Sequence, residues 1–184
     1  DLVGGMLASG LSGPRRQAVG ALRDFVLGVK LLDGRGEVLS FGGQVMKNVA
    51  GYDVPRLIAG SLGTLGIVLE VSLKVLPQPV AEKSLRFAFD EASALRRLNE
   101  WGGRPLPISA SAWHDGVLTL RLSGAAAAVA AAQRKLAGDL LDDAEAATFW
   151  VSIREQQHAF FAGEEPLWRL GLPSVAEPQG LGPT

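Results

Sequence analysis

Gly60, Gly63 and Gly66 recur every third residue and open onto residues 67–76, where Ile67, Leu69, Val71, Leu73 and Val75 alternate with Glu70, Ser72 and Lys74. A period of two places the five aliphatic side chains on one face of a β-strand and the polar ones on the other. Such a strand has to bury one face, so the chain must supply partner strands and a covering layer. Pro77 and Pro79 end the run, because proline cannot donate to a strand ladder. The glycines ahead of it leave two readings open. They form a tight turn feeding an ordinary core strand, or a loop whose bare backbone approaches a phosphate or a flat ring.

Partner strands are legible nearby. Residues 25–32 and 37–41 read as the arms of a hairpin, joined by Asp33-Gly34-Arg35-Gly36, residues that tolerate positive φ. The Gly34–Gly36 pair is followed by a strand rather than a helix, so it is not a dinucleotide fingerprint. Residues 52–60 read as a short helix, with Asp53 as N-cap, Pro55 in the first turn and Gly60 at the end. Upstream, Gly4, Gly5, Ala8, Ser9, Gly10 and Gly13 form a stretch of small residues that suits either close packing or contact with a flat ring. Arg15, Arg16, Arg23, Asp24, Lys47 and Asn48 are the polar residues interleaved with these segments; exposed loop and turn positions account for them without a function.

The texture changes after Pro79, which divides the chain into a glycine-rich part, residues 1–79, and a second part, residues 80–184. Residues 85–89 read as a strand. Asp90 then caps a helix with Ala92, Leu95, Leu98 and Trp101 on its apolar stripe. Residues 108–113 and 117–122 flank His114-Asp115-Gly116, a hairpin signal. An Ala-rich helix follows, with Val129, Ala132 and Leu136 on one side and Gly138 as its stop. The order β-α-β-β-α is that of a split β-α-β unit cut short of its last strand, and residues 148–153 offer a further strand. The tail, residues 171–184, is rich in Gly and Pro and is expected to be poorly ordered.

Composition narrows the chemistry. Of 184 residues, 47% are apolar and 20% charged, which fits a soluble globular protein with a real core. The net charge of -1 gives nucleic acid no bulk attraction. With no cysteine, the chain itself cannot form disulfides or hold a Cys-ligated iron–sulfur cluster. No apolar run approaches the ~20 residues of a membrane-spanning helix. His114 and His158 stand far apart in sequence without acidic partners at ligand spacing, so no metal site is expected. No Gly-x-Ser-x-Gly nucleophile elbow and no Walker loop occurs. Trp101, Trp113, Trp150 and Trp168 read as core or interface anchors.

The order of the segments is more informative than any one of them. "GGMLASGLSGPRR", "FGGQVMKNVAGYD" and "GSLGTLGI" together resemble, in sequence and spacing, the second half of the FAD-binding domain of PCMH-type (vanillyl-alcohol oxidase-like) flavoproteins. Within that family they resemble the FAD-binding E subunits of bacterial glycolate oxidases more than the D-lactate dehydrogenases. The likeness is strong over about residues 3–79 and looser beyond. It implies an α+β fold: an antiparallel sheet with flanking helices over residues 1–79, then a partial ferredoxin-like cap or substrate domain over residues 80–184.

The resemblance also implies a cofactor, FAD. It assigns flavin contacts to Gly4, Gly5, Ala8, Ser9, Gly10, Gly13, Gly63, Thr64, Gly66, Ile67 and Val68, largely through backbone atoms. Leu62 occupies a position where the family often has Glu. The family's pyrophosphate loop lies in a preceding subdomain, so the chain is expected to be a fragment with half of the cofactor site, inactive alone. No catalytic residue and no metal ligand transfers. The implied reaction is oxidation of glycolate, or a similar 2-hydroxy acid, to the 2-oxo acid. The implied partners are flavoprotein and iron–sulfur subunits of the oxidase, in the cytoplasm or peripheral to the inner membrane through those subunits. Two alternatives stay open: a D-lactate dehydrogenase-like enzyme, and a non-catalytic assembly subunit.

Overall fold

The computed structural model describes residues 3–43, 51–164 and 166–178. It divides into two compact units, Asp1–Gln78 and Pro79–Thr184.

The first unit opens with helix α1 (Val3–Ser9) and the single turn α2 (Arg16–Val19), then a 3-10 turn, Leu22–Phe25. Strands β1 (Val26–Leu32) and β2 (Val38–Gly42) form the expected hairpin, with Leu32 opposite Val38. One carboxylate oxygen of Asp33, Oδ1, accepts from the N–H groups of both Arg35 and Glu37, at 2.9 Å each, and so ties the loop closed. Helix α3 (Val54–Ile58) begins as the sequence predicts, with Asp53 accepting from Arg56 N at 3.2 Å and Pro55 in the first turn. Strand β3 (Ile67–Leu73) completes an antiparallel sheet of order β2-β1-β3. Leu7, Val26, Val29, Leu31 and Ile58 form its core, with Val68, Val71 and Leu73 packed against them.

The expected alternation of β3 holds only in part. Val71 and Leu73 pack on the core, but Ile67 and Leu69 are exposed, at 63% and 52%. The reason is a register shift: Lys30 pairs with Glu70 and Leu31 with Val68, leaving Leu69 as an extra residue. A bulge of one residue reverses which face the remainder of the strand presents. Val68 therefore turns inward where simple alternation would put it outside. A second shift, at Leu27, does the same on β1 and brings both Val26 and Val29 into the core.

The second unit runs β4 (Ala81–Ala88), α4 (Glu91–Gly102), β5 (Ile108–His114), β6 (Val117–Gly124), α5 (Ala126–Leu136), β7 (Asp139–Leu140) and α6 (Asp143–Arg154). Its sheet is antiparallel, in the order β5-β6-β4-β7. That is the ferredoxin-like arrangement, so its last strand is not missing; it is the two-residue β7 beside β4. The β5–β6 turn carries Asp115 and Gly116 at φ 47° and 76°, as a type I′ hairpin requires. Leu85, Leu118, Leu120 and Leu122 are fully buried against α4 and α5. Each such burial is worth about 1.5–3 kcal/mol relative to exposure.

Three further expectations change. Residues 148–153 are helical, inside α6, because Asp142 caps a helix there: its Oδ1 accepts from Ala144 N at 2.9 Å and Glu145 N at 3.4 Å. The apolar stripe of α4 runs through Ala94, Leu98 and Trp101, while Ala92 faces solvent. Trp101 and Trp150 are buried, as anchors should be, but Trp113 is 39% and Trp168 82% exposed.

Candidate functional site

The two glycine-bearing segments singled out from the sequence meet in the first unit. Gly60 N donates to Leu7 O at 2.9 Å and Leu62 N to Ala8 O at 2.8 Å, which lays the loop after α3 along the end of α1. Gly10 closes α1 with φ +64°, and a Cβ there would stand 2.9 Å from Gly60 Cα. The approach of these two backbones therefore requires glycine at position 10. Leu62 itself sits at φ 53°, a left-handed conformation unusual for a branched side chain, and is 73% exposed. Gly66 has φ +145°, and a Cβ on it would lie 2.7 Å from Leu32 O, so the loop enters β3 in tight contact with the end of β1.

Gly4, Gly5, Ala8 and Ser9 belong to α1 and Gly10 closes it, while Gly63, Thr64 and Gly66 lie on the loop that leaves its contact with α1 at Leu62. Gly13 lies beyond, exposed, where its carbonyl accepts from Arg16 N at 3.0 Å. Ile67 turns to solvent and Val68 to the core, so these two predicted contacts face opposite ways. Ser9 Oγ donates to Met6 O at 3.2 Å and Thr64 Oγ1 to Ser61 O at 2.7 Å. Both hydroxyls spend their hydrogen within the chain and keep only acceptor capacity. None of the eleven residues is ionisable. Lys47 and Asn48 lie outside the described residues.

Whether a flat cofactor fits can be tested at the glycines. A Cβ placed on Gly4, Gly5 or Gly63 would meet no atom within 4 Å, so the backbone is bare there. Gly4 and Gly5 lie inside α1, where each glycine costs about 1 kcal/mol relative to alanine. No neighbour among the described residues needs that space. A planar ring laid against the surface would, and the fit is favourable to a flavin.

No local pattern joins His114 and His158, yet the fold does so. Their ring centroids are 5.2 Å apart, edge to face, at the tip of the β5–β6 hairpin and just after α6. With α6 read as a strand, His158 had no predictable position. Its proximity to His114 depends on the long-range docking of α6, for which no local spacing is a signal. Among the described residues, no group of three or more His, Asp or Glu side chains is arranged to hold a metal ion.

No protein-family model matches the chain. It is 49% identical over 173 residues to glycolate oxidase subunit GlcE of Escherichia coli (strain K12), a match that covers 94% of this chain and 48% of that protein. It is 38% identical over 92 residues to glycolate oxidase subunit GlcD of Bacillus subtilis (strain 168), covering 50% of this chain and 20% of that one. Among solved structures, alkyldihydroxyacetonephosphate synthase matches with a TM-score of 0.55 at 20% identity, covering 73% of this chain and 30% of that one. That likeness bears on the fold, and it bears out the PCMH-type α+β architecture expected from the sequence. The chain spans about half the length of GlcE. Nearly all of this chain is thus similar, at 49% identity, to about half of glycolate oxidase subunit GlcE.

Proposed function

We propose that the chain forms part of the FAD-binding subunit of a glycolate oxidase complex, which oxidises glycolate or a similar 2-hydroxy acid to the 2-oxo acid. The observation that carries this reading is the continuous similarity to GlcE together with the bare surface at Gly4, Gly5 and Gly63. When bound, FAD supplies the two-electron acceptor for the oxidation. The chain's own part is binding and orientation. The segments around residues 4–13 and 63–68 offer backbone and uncharged side chains against a ring, and the exposed aliphatic Leu62 and Ile67 keep water from its edge.

None of the eleven residues assigned to flavin contact is a general base. The groups that take the substrate's protons are accordingly assigned to another part of the assembly. These 184 residues contain no cysteine and so supply no thiolate to an iron–sulfur cluster, which the reading assigns to a partner subunit. The first unit is then the second FAD-binding subdomain and the second unit the cap. Among the described residues no helix is long and apolar enough to cross a membrane. The proposed reading puts the protein in the cytoplasm, with any attachment to the inner membrane made by its partners.

The test is substrate-driven bleaching of flavin absorption in the complex assembled from the full-length subunits. Anaerobic glycolate should reduce the flavin. Reduction by D-lactate but not by glycolate would reassign the substrate. A second reading, a non-catalytic assembly subunit, is favoured by the lack of ionisable groups among the eleven assigned residues. It predicts that the full-length subunit, purified alone, shows no flavin bands even after FAD is added.

A further inference from the structure

The second unit contains a cavity of 510 Å³ that the flavin reading does not use. It lies between Arg86 and Thr119 on the sheet and Phe149 and Ile153 of α6, is bordered by His158 and Phe160, and opens to solvent. Its size falls within the ~300–1,000 Å³ typical of small-molecule sites. Four rings form a continuous edge-to-face chain around it. Phe149 meets His158 at 5.7 Å and 84°, His158 meets His114 at 5.2 Å and 85°, and His114 meets Phe160 at 5.6 Å and 75°.

The polar groups are few and biased toward donors. Nδ1 of His158 accepts the N–H of Phe160 at 3.2 Å, which leaves Nε2 to carry the hydrogen of the neutral ring. Arg86 stands with its guanidinium carbon 5.9 Å from the centre of the Phe149 ring and pairs with Glu145. Among the described residues, Glu145 does not line the cavity and Asp115, at the hairpin tip, is the one acidic side chain that does. The indole N–H of Trp113 is committed to Phe89 O at 2.7 Å. An aromatic-walled space with Arg86, His114 and His158 at its boundary suits a ligand with a flat hydrocarbon body and one anionic acceptor group.

We propose that this cavity binds a small aromatic monocarboxylate, with the ring among Phe149, Phe160 and the two imidazoles and the carboxylate accepting from His158 and His114. Glycolate has no hydrocarbon body with which to contact these walls. The site is therefore distinct from the proposed oxidation and does not rest on it.

The experiment is a ¹H–¹⁵N NMR titration of the isotopically labelled chain with benzoate, benzamide and glycolate as probes. Benzoate should give saturable shifts at the amides of Thr119, Phe149, Ile153 and His158. Benzamide, with the same ring but no charge, should bind about tenfold more weakly, as loss of a charge-assisted hydrogen bond implies. The double variant His114→Gln/His158→Gln should weaken benzoate by about tenfold or more. His114 is exposed, so the single variant His114→Gln, whose fold is not at risk, should give a smaller loss in the same direction. Equal binding of benzoate and benzamide overturns the proposal. So do glycolate shifts at the same amides with the affinity of benzoate, benzoate shifts confined to residues of the first unit, and absence of saturable benzoate shifts.

Discussion

Gly10 and Gly60 hold two glycine-bearing segments in backbone contact: a Cβ on Gly10 would stand 2.9 Å from Gly60 Cα, and Gly10 has φ +64°. No flexible side chain can yield there, because the opposing atoms are backbone. Gly10→Ala should therefore destabilise the protein by about 2 kcal/mol or more, from the left-handed backbone penalty plus the displaced loop. Urea denaturation followed by circular dichroism would measure it. A loss below about 0.5 kcal/mol would mean that the two segments separate at little cost.

Gly5 should behave in the opposite way. Its position in α1 is helical and open, so Gly5→Ala is expected to raise stability by up to about 1 kcal/mol. Gly5→Leu would fill the same space with a side chain, leave folding intact and lower the flavin content of the full-length subunit. Denaturation curves and the flavin-to-protein absorbance ratio together separate the two effects. If Gly5→Leu retains a full complement of flavin, the ring does not lie against α1.

These two glycines show what the sequence made legible. Spacing and the turn residues disclosed both hairpins and the caps at Asp53 and Asp90. They did not disclose which glycines are internal spacers and which face open space, since that depends on a neighbour's backbone. The parity of β3 fails over Ile67–Leu69, ahead of Glu70, because a bulge leaves no mark in a run of Ile, Val and Leu. The α6 region was misread because "TFWVSI" has strand composition, and the Asp142 cap six residues earlier overrides it. His114 and His158 are neighbours through tertiary docking alone, which no local pattern encodes.

Asp90 offers a test in pH. Its carboxylate is held below the usual range, first by the hydrogen bond from Ser93 N, at 2.7 Å, then by the Ser93 hydroxyl and, more weakly, by Arg96 against an opposing desolvation effect. A folded-state pKa below the unfolded value contributes stability above the unfolded pKa of about 3.9 and loses it as pH falls through the folded one. A carboxyl ¹³C titration should place the Asp90 midpoint below that of an unstructured peptide. Asp90→Asn, which keeps the cap but not the charge, should make stability less sensitive to acid over that window. An Asp90 midpoint at or above the peptide value would show that the cap does not favour the ionised form.

Trp150 and Ser84 test how α6 is fastened to the sheet. Trp150 is 5% and Ser84 2% exposed, and the indole N–H donates to Ser84 Oγ at 2.8 Å. The guanidinium of Arg121 lies 4.8 Å from the Trp150 ring centre on the same side. Ser84→Ala leaves a buried indole N–H without its acceptor, which should cost about 1–3 kcal/mol. Trp150→Phe removes the donor and some packing, and leaves the hydroxyl behind. In the double variant both polar atoms are gone, so its loss should fall short of the sum of the single losses by about 1 kcal/mol. Chemical denaturation of the four proteins gives the coupling directly. Additive losses would show that the Trp150–Ser84 hydrogen bond contributes no net stability.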